Sequence, residues 1–472
     1  MNIFTTIKDE TAQLLHNIAL IDAGDQVTYE QLLHASEQVS SELSRQGVNR
    51  FCRVGLLCED SIDYVCTSLA ILSIGGVIVP VSPDQSKEEI QSVIAKIDLD
   101  FLIAEKRLQY DGVPLPQELF RSRSFTILQR GATRPAEGYY ALNPAFIRFS
   151  SGTTGASKGV VLSHEAIIAR TDAADKGLQI TSSDRVLWVL SMSFHFVVTI
   201  LLFLRRGATI ILCGKNLPHA IIDGILNQNG TFIYASPFHY SLLAGSTDIP
   251  ADAFRNIRMA ISTAMKLPES TAEEFALKFG MELTEAYGII EVGLPFVRIS
   301  DSTKKGSVGK ALPDYRIRLR NQDENGVGDI LIKGEGMLDA YFSPWQGKGD
   351  ILTDGWFSTG DLGRIDEDGF LFIVGRKKDV INFVGMKIFS QEVESVINRH
   401  PSVEESRVYP VQHSRFGELP AAKLLLRAGV SRDEAVEEIR RFCYLHLSPY
   451  KVPKEFEIVD SLPRTASGKL KR

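Results

Sequence analysis

The chain has 472 residues, 44% of them hydrophobic and 23% charged, and 52 basic against 58 acidic side chains give a net charge of −6. Those proportions exclude a disordered chain, a collagen-like fibre and a small disulfide scaffold, and the length allows about two to four domains. The mild acidity argues against non-specific nucleic-acid binding, which needs a basic face to release counterions.

Along the chain, Thr28 is placed to cap a helix and Gln31 to complete a capping box. Leu32, Ala35, Val39 and Leu43 mark one face of that helix, and Gly47 ends it. Residues 53–58 read as a strand, 61–74 as a helix broken by Gly75-Gly76, and 77–81 as a further strand. Short β-branched runs follow at 186–190, 209–212, 231–235 and 257–261, most of them separated by helical spacing. Short buried strands alternating with helices predict a parallel sheet covered on both faces.

From about Gly306 the texture changes, with turns at Asn325-Gly326, Asp354-Gly355 and Asp368-Gly369 around strand-like pieces at 329–332 and 370–374. That pattern predicts an antiparallel, hairpin-rich part. The basic run Arg376-Lys377-Lys378 opens a compact tail, in which Ser390 is placed to cap a helix with Val393, Val396 and Ile397 on one face. A second tail helix is expected at 433–445. The fold class expected is α/β: a large N-terminal domain (1–375) of mainly parallel sheets flanked by helices plus a β-rich subdomain, and a small mobile α+β domain (376–472).

No run of about 18 uninterrupted apolar residues occurs, so no helix is expected to cross a bilayer. The longest apolar run, 194–204, contains His195 and is stopped by Arg205 and Arg206. Residues 1–10 carry no basic region leading into an apolar segment, so no signal peptide is expected. Cys52, Cys58, Cys66, Cys213 and Cys443 show no metal-type spacing and read as reduced thiols of a cytoplasmic protein.

The most informative segment is 149–160, FSSGTTGASKGV. Glycines and hydroxyl side chains ending in a lysine supply many N–H and O–H donors and one cation, which suits a polyphosphate. It is not the P-loop pattern, and standing alone such a segment is more often an exposed turn. Here it resembles the signature of the adenylate-forming superfamily, which comprises acyl- and aryl-CoA synthetases, peptide-synthetase adenylation domains and luciferases. Further segments are similar to that family's landmarks in the same order: 70–83 (AILSIGGVIVPVSP), 287–291 (YGIIE), 306–313 (GSVGKALP), 356–361 (WFSTGD), 375–379 (GRKKD) and 463–469 (PRTASGK).

The resemblance implies a reaction in which a carboxylate attacks the α-phosphorus of ATP, leaving an acyl-adenylate and pyrophosphate, before transfer to a thiol. It implies that Ser151, Gly152, Thr153, Thr154, Gly155 and Lys158 hold the β- and γ-phosphates, with Tyr287 and Gly288 also at the nucleotide. By the same token Glu291 binds Mg²⁺, Asp361 the ribose hydroxyls and Arg376 ribose or phosphate, while Lys469 bridges the carboxylate and α-phosphate. Lys378 is the implied hinge and Gly385 the implied passage for pantetheine. Charge supports these roles, because two anions must meet and the site has to supply positive charge and orientation. Three departures point to an altered rate rather than a lost activity. Ile290 stands where the family usually has threonine, Ser157 where it has proline, and 261–265 (ISTAM) where a Ser-Gly-Gly-Ala segment is common.

Amino-acid-activating members usually carry an aspartate near the mid-chain strand, whereas 191–198 here reads SMSFHFVV, without a carboxylate. An unpaired ammonium in such a pocket is costly, so the expected substrate is a carboxylic acid without an α-amino group. His195, Phe196, Ala235, Met265, Gly288 and Ile289 are the expected pocket residues, with His195 lining or gating it. The expected function is an acyl or aryl acid–thiol ligase using ATP and Mg²⁺, with CoA or the phosphopantetheine of a separate carrier protein as acceptor. The chain ends just after Lys469, so no carrier domain is expected to be fused. The alternatives are an amino-acid adenylation enzyme, a luciferase-like oxidase and an impaired nucleotide-binding relative.

Overall fold

The computed structural model describes residues 1–149, 158–298, 304–383, 386–413, 417–465 and 470. They form two compact units, Met1–Arg316 with Lys333–Phe357, and Ile317–Ile332 with Ser358–Arg472. A break between 375 and 376 falls within the second unit, because most of the glycine-rich sheet groups with the C-terminal residues.

In the first unit, local signals set the early elements. The helix Tyr29–Arg45 starts with the expected box: Gln31 N–H donates to Thr28 Oγ1 at 3.2 Å, and Thr28 N–H to Gln31 Oε1 at 3.0 Å. Its buried stripe corrects the expected one. Ser36 rather than Ala35 faces the core between Leu32 and Val39, since steps of four, three and four residues follow one face. The Ser36 hydroxyl is satisfied by the Leu32 carbonyl at 2.7 Å. The helix Ile62–Ile74 is capped by Ser61 and closed by Gly75 at φ 80°, where a side chain would be strained.

Two sheets form around these helices. Among the described residues an eight-stranded sheet runs Gly293–Val297, Thr284–Ile289, Met259–Ser262, Phe232–Ala235, Arg185–Trp188, Thr209–Leu212, Ile18–Asp22, Asp25–Thr28. All its inner pairings are parallel, and only the two edge pairings are antiparallel. The second sheet centres on Arg53–Leu57, Val77–Val81, Pro144–Phe149 and Gly159–Ser163. Helices Ile3–Glu10, Ile62–Ile74, His164–Leu178 and Leu201–Arg205 pack on one another, and Ile62–Ile74 and His164–Leu178 each touch strands of both sheets. Outer helices cover the remaining faces: Ile221, Ile225, Tyr240 and Phe275 pack over the first sheet, and Ile90, Ile94 and Ile97 over the second. Helix, sheet, helix, sheet, helix is therefore the layering, and the inner strands are largely apolar because both faces are buried.

The second unit holds most of a four-stranded sheet, Tyr315–Arg320, Gly328–Gly334, Phe357–Ile365, Leu371–Arg376. Its α+β part packs Val393 and Ile397 of helix Ser390–Ile397, and Ala435, Ile439 and Cys443 of helix Arg432–His446, against strand residues Ile381, Ile388, Ala422 and Leu424. Ser390 does not cap its helix as expected. The helix begins one residue earlier than that reading, Phe389 stands at the cap, and the Ser390 hydroxyl donates to the Asp379 carbonyl at 2.6 Å. All five cysteines are free, four of them buried. No helix among the described residues is long and apolar enough to cross a membrane.

Candidate active site

Parallel strands in one sheet end at the same edge, and ligands in open α/β sheets bind beyond the strands' carboxyl ends. Four neighbours, Thr284–Ile289, Met259–Ser262, Phe232–Ala235 and Arg185–Trp188, run parallel and in register, with Ala235 opposite Ser262 and Ser262 opposite Glu285. Glu291, Met265, Ala235 and His195 follow or close these strands, so their common edge gathers residues scattered from 195 to 291.

Glu291 lies in the turn joining Thr284–Ile289 to Gly293–Val297. That turn is tied down by its backbone. Arg170 Nη1 donates to the Ile290 carbonyl at 3.0 Å, its Nε and Nη2 donate to the Gly336 carbonyl at 2.9 and 2.6 Å, and Leu338 N–H donates to the Glu291 carbonyl at 2.7 Å. Gly336 must stay glycine, because a Cβ there would lie 2.4 Å from Arg170 N at φ 66°. Gly288 is equally constrained, its Cβ position being 2.4 Å from the Gly293 carbonyl oxygen.

Tyr341 joins two of the expected nucleotide residues. Its hydroxyl hydrogen-bonds with the Glu291 carboxylate, and burial followed by the Glu291 charge raises its pKa. The Lys158 ammonium sits 4.6 Å from the centroid of its ring and donates to Gln346 Oε1 at 3.0 Å. A cation, a phenol and a carboxylate thus stand together directly after the glycine- and hydroxyl-rich segment. Among the described residues no three His, Cys, Asp or Glu side chains cluster to cage a metal. A hard cation at Glu291 would fit by taking one carboxylate, with phosphate oxygens and water completing its shell, as Mg²⁺ favours.

His195 closes the short helix Met192–His195, which leads into a π-helical turn, Phe196–Ile200. Such turns interrupt regular helices and recur at functional sites. The short helix is held at both ends. Met192 N–H donates to both Asp60 carboxylate oxygens at 3.0 Å, and Arg148 Nη1 donates to the Phe194 carbonyl. The imidazole of His195 meets the Trp188 ring at 6.4 Å. Phe196 is buried, its ring edge-on to Tyr64 at 5.8 Å, so it packs the wall from behind. Ala235 is buried, Met265 is 37% exposed, and Ile289 is half-buried. Ala264 adopts φ 71°, left-handed backbone that favours glycine, which fits the departure at 261–265.

In the second unit Asp361 pairs with Arg376 across a hairpin, Arg376 Nε lying 3.3 Å from Asp361 Oδ1. Asp361 N–H donates to Thr359 Oγ1 at 3.1 Å, and the Thr359 hydroxyl to the Ile330 carbonyl at 3.0 Å, so the buried carboxylate is fixed in place. Lys378 lies in a single helical turn with Asp379, their charges 3.9 Å apart. Ser151, Gly152, Thr153, Thr154, Gly155, Gly385 and Lys469 lie outside the described residues.

The sequence reading missed Arg148, Arg170, Tyr341 and Asp60. Arg148 left a signal, a lone charge inside the apolar strand Pro144–Phe149; burial pushes its guanidinium down to about 10, partly offset by the Glu291 charge. Burial likewise raises Asp60 to about 7.

Comparison with known proteins identifies the family. Residues 8–342 match the family model for AMP-binding enzymes, and residues 392–469 that for the AMP-binding enzyme C-terminal domain. A 2-succinylbenzoate–CoA ligase of Bacillus licheniformis is 30% identical, covering 96% of this chain and 95% of its own length. A malonate–CoA ligase of Arabidopsis thaliana is 26% identical, covering 100% and 88%. The crystal structure of ATP-bound MatB from Rhodopseudomonas palustris is similar with a TM-score of 0.85 at 26% identity, covering 100% of this chain and 97% of that one.

Proposed function

The chain belongs to the AMP-binding enzyme family, and from that premise we propose how its residues carry out the reaction. It is an ATP-dependent, AMP-forming acid–thiol ligase with CoA as acceptor. In the first half-reaction a carboxylate oxygen bonds to the α-phosphorus of ATP, the bond from α-phosphorus to the α,β-bridging oxygen breaks, and pyrophosphate leaves. In the second, the thiolate attacks the acyl carbon and AMP leaves with the former carboxylate oxygen.

Lys158 and the loop hydroxyls of Ser151, Thr153 and Thr154, with the Gly152 and Gly155 backbone, hold the outer phosphates. Tyr287 and Gly288 border the nucleotide, Asp361 accepts the ribose hydroxyls, and Arg376 lies alongside. Glu291 would hold Mg²⁺, which would supply positive charge to the phosphate oxygens. His195, Phe196, Ala235, Met265, Gly288 and Ile289 enclose the acid. Lys469 meets the charge that develops between carboxylate and α-phosphate. The small domain turns about Lys378 and presents the backbone near Gly385 to the thiol, so one site serves two steps.

The placement of Lys158, Tyr341 and Glu291 together at the strands' carboxyl edge carries this reading. The acid class is one without an α-amino group, because 191–198 offers no carboxylate and Asp60 already accepts the Met192 N–H. A carrier protein's phosphopantetheine is the alternative acceptor, since it presents the same thiol. Five free cysteines support a cytoplasmic location.

Acid-dependent pyrophosphate release across aryl, short, medium and long acyl acids, dicarboxylic acids and amino acids, with and without CoA, tests the reading. Release with one acid class and thioester on CoA is expected; silence across the panel overturns it. Asp361→Asn is expected to raise the KM for ATP by about 10- to 100-fold, because a charged acceptor becomes neutral while its place in the hairpin is kept. Measured acid KM should change little.

A further inference from the structure

Beside His195 lies a buried cation that the scheme above leaves idle. In the strand Pro144–Phe149, Ile147 and Phe149 pack into the outer core, so Arg148 points to the opposite side, toward the helices between the sheets. Its guanidinium rests 5.8 Å from the Phe194 ring centroid and donates Nη1 to the Phe194 carbonyl. Its Nε is enclosed and has no acceptor, and Arg148 has no ion-pair partner among the described residues. The carboxylate whose charge acts on it is that of Glu291.

Two more buried groups share this space. The Tyr64 and Ser193 hydroxyls, on residues 0% and 2% exposed, neighbour each other closely enough to interact, and beyond that contact neither has a partner. Tyr64 and Arg148 act on each other electrostatically. One enclosed N–H and the one hydroxyl proton that the Tyr64–Ser193 contact does not use are therefore left without acceptors, where each unsatisfied group costs about 1–3 kcal/mol. Water would satisfy the hydroxyl but leave the guanidinium with no directly paired anion beyond the Glu291 charge; an anion with two oxygens satisfies both.

We propose that Arg148, with the Tyr64 and Ser193 hydroxyls, binds a carboxylate of the acid substrate next to His195. The inference rests on the ligase reading. The carboxylate is either the one being activated or a second one carried by the same acid.

The test is steady-state pyrophosphate release by wild type, Arg148→Met, Arg148→Lys and Tyr64→Phe on mono- and dicarboxylic acids of matched length. Arg148→Met is expected to raise the acid KM about 10- to 100-fold, with the KM for ATP within about twofold and Arg148→Lys in between. Tyr64→Phe, which removes one oxygen and no packing, should raise acid KM several-fold. A rise for every acid assigns the reacting carboxylate, and a rise confined to dicarboxylic acids assigns the second; both support the subsite. An unchanged acid KM, or acid and ATP constants moving together, overturns it and leaves Arg148 as a brace for the His195 turn. Silence of the wild type on every acid would instead bring down the ligase reading itself.

Discussion

Lys469→Ala is expected to lower acid-dependent pyrophosphate release by about 100- to 1,000-fold, while thioester formation from supplied acyl-adenylate continues at near wild-type rate. The argument begins with charge. The carboxylate and the α-phosphate repel until the new bond forms, and negative charge accumulates on the oxygens between them. A preorganised ammonium there stabilises the transition state more than the separated reactants, which is the condition for raising the chemical rate rather than simple binding. The thiol step starts from an acyl-adenylate in which that charge has already left with pyrophosphate, so the same lysine has nothing to stabilise. Rapid-quench measurement of the two half-reactions separates the cases. Equal losses in both would show that Lys469 holds the domain or the nucleotide rather than the first transition state. The KM for ATP provides a second readout and should move by less than about tenfold.

Elements set by neighbours in sequence were legible in advance. Thr28 and Gln31, three residues apart, define the start of a helix, and Gly75 its neighbour's end, because caps depend on one turn of chain. The family segments likewise placed Glu291, His195 and Asp361 on a list before any contact was known. What the sequence could not convey is adjacency made by stacking. Tyr64, Arg148 and Ser193 come from a helix, a strand of one sheet and a short helix beyond the other, and only the layered packing brings them near one another. Tyr341 reaches Glu291 because its short strand pairs with Gly159–Ser163, directly after Lys158. The Asp361–Arg376 pair shows a subtler limit. The turn at Asp368-Gly369 announces the hairpin, yet a bulge between Leu362 and Gly363 shifts the register, so that Asp361 faces Arg376 rather than Gly375.

The same turn that hides Tyr341's role makes Glu291 the sharper test of the metal. Glu291→Gln keeps side-chain volume and an amide oxygen that can still accept from the Tyr341 hydroxyl, and the backbone ties to Arg170 and Leu338 do not involve the carboxylate. The turn should therefore hold its shape, and the variant removes one thing, a negative charge. Mg²⁺ bound by a single protein carboxylate and phosphate oxygens depends on that charge, since a neutral amide is a much weaker partner for a hard cation. The expected result is a fall in adenylation of about 100-fold or more at ordinary Mg²⁺ concentration, partly recovered as Mg²⁺ is raised. Calorimetry gives a readout apart from turnover: MgATP should bind more weakly to the variant, whereas ATP in the presence of a chelator should bind as before or slightly better, because a carboxylate no longer faces the phosphates. If the Mg²⁺ dependence of the variant matches that of the wild type, Glu291 does not hold the cation and its carboxylate serves Tyr341, Arg148 and Arg170 alone.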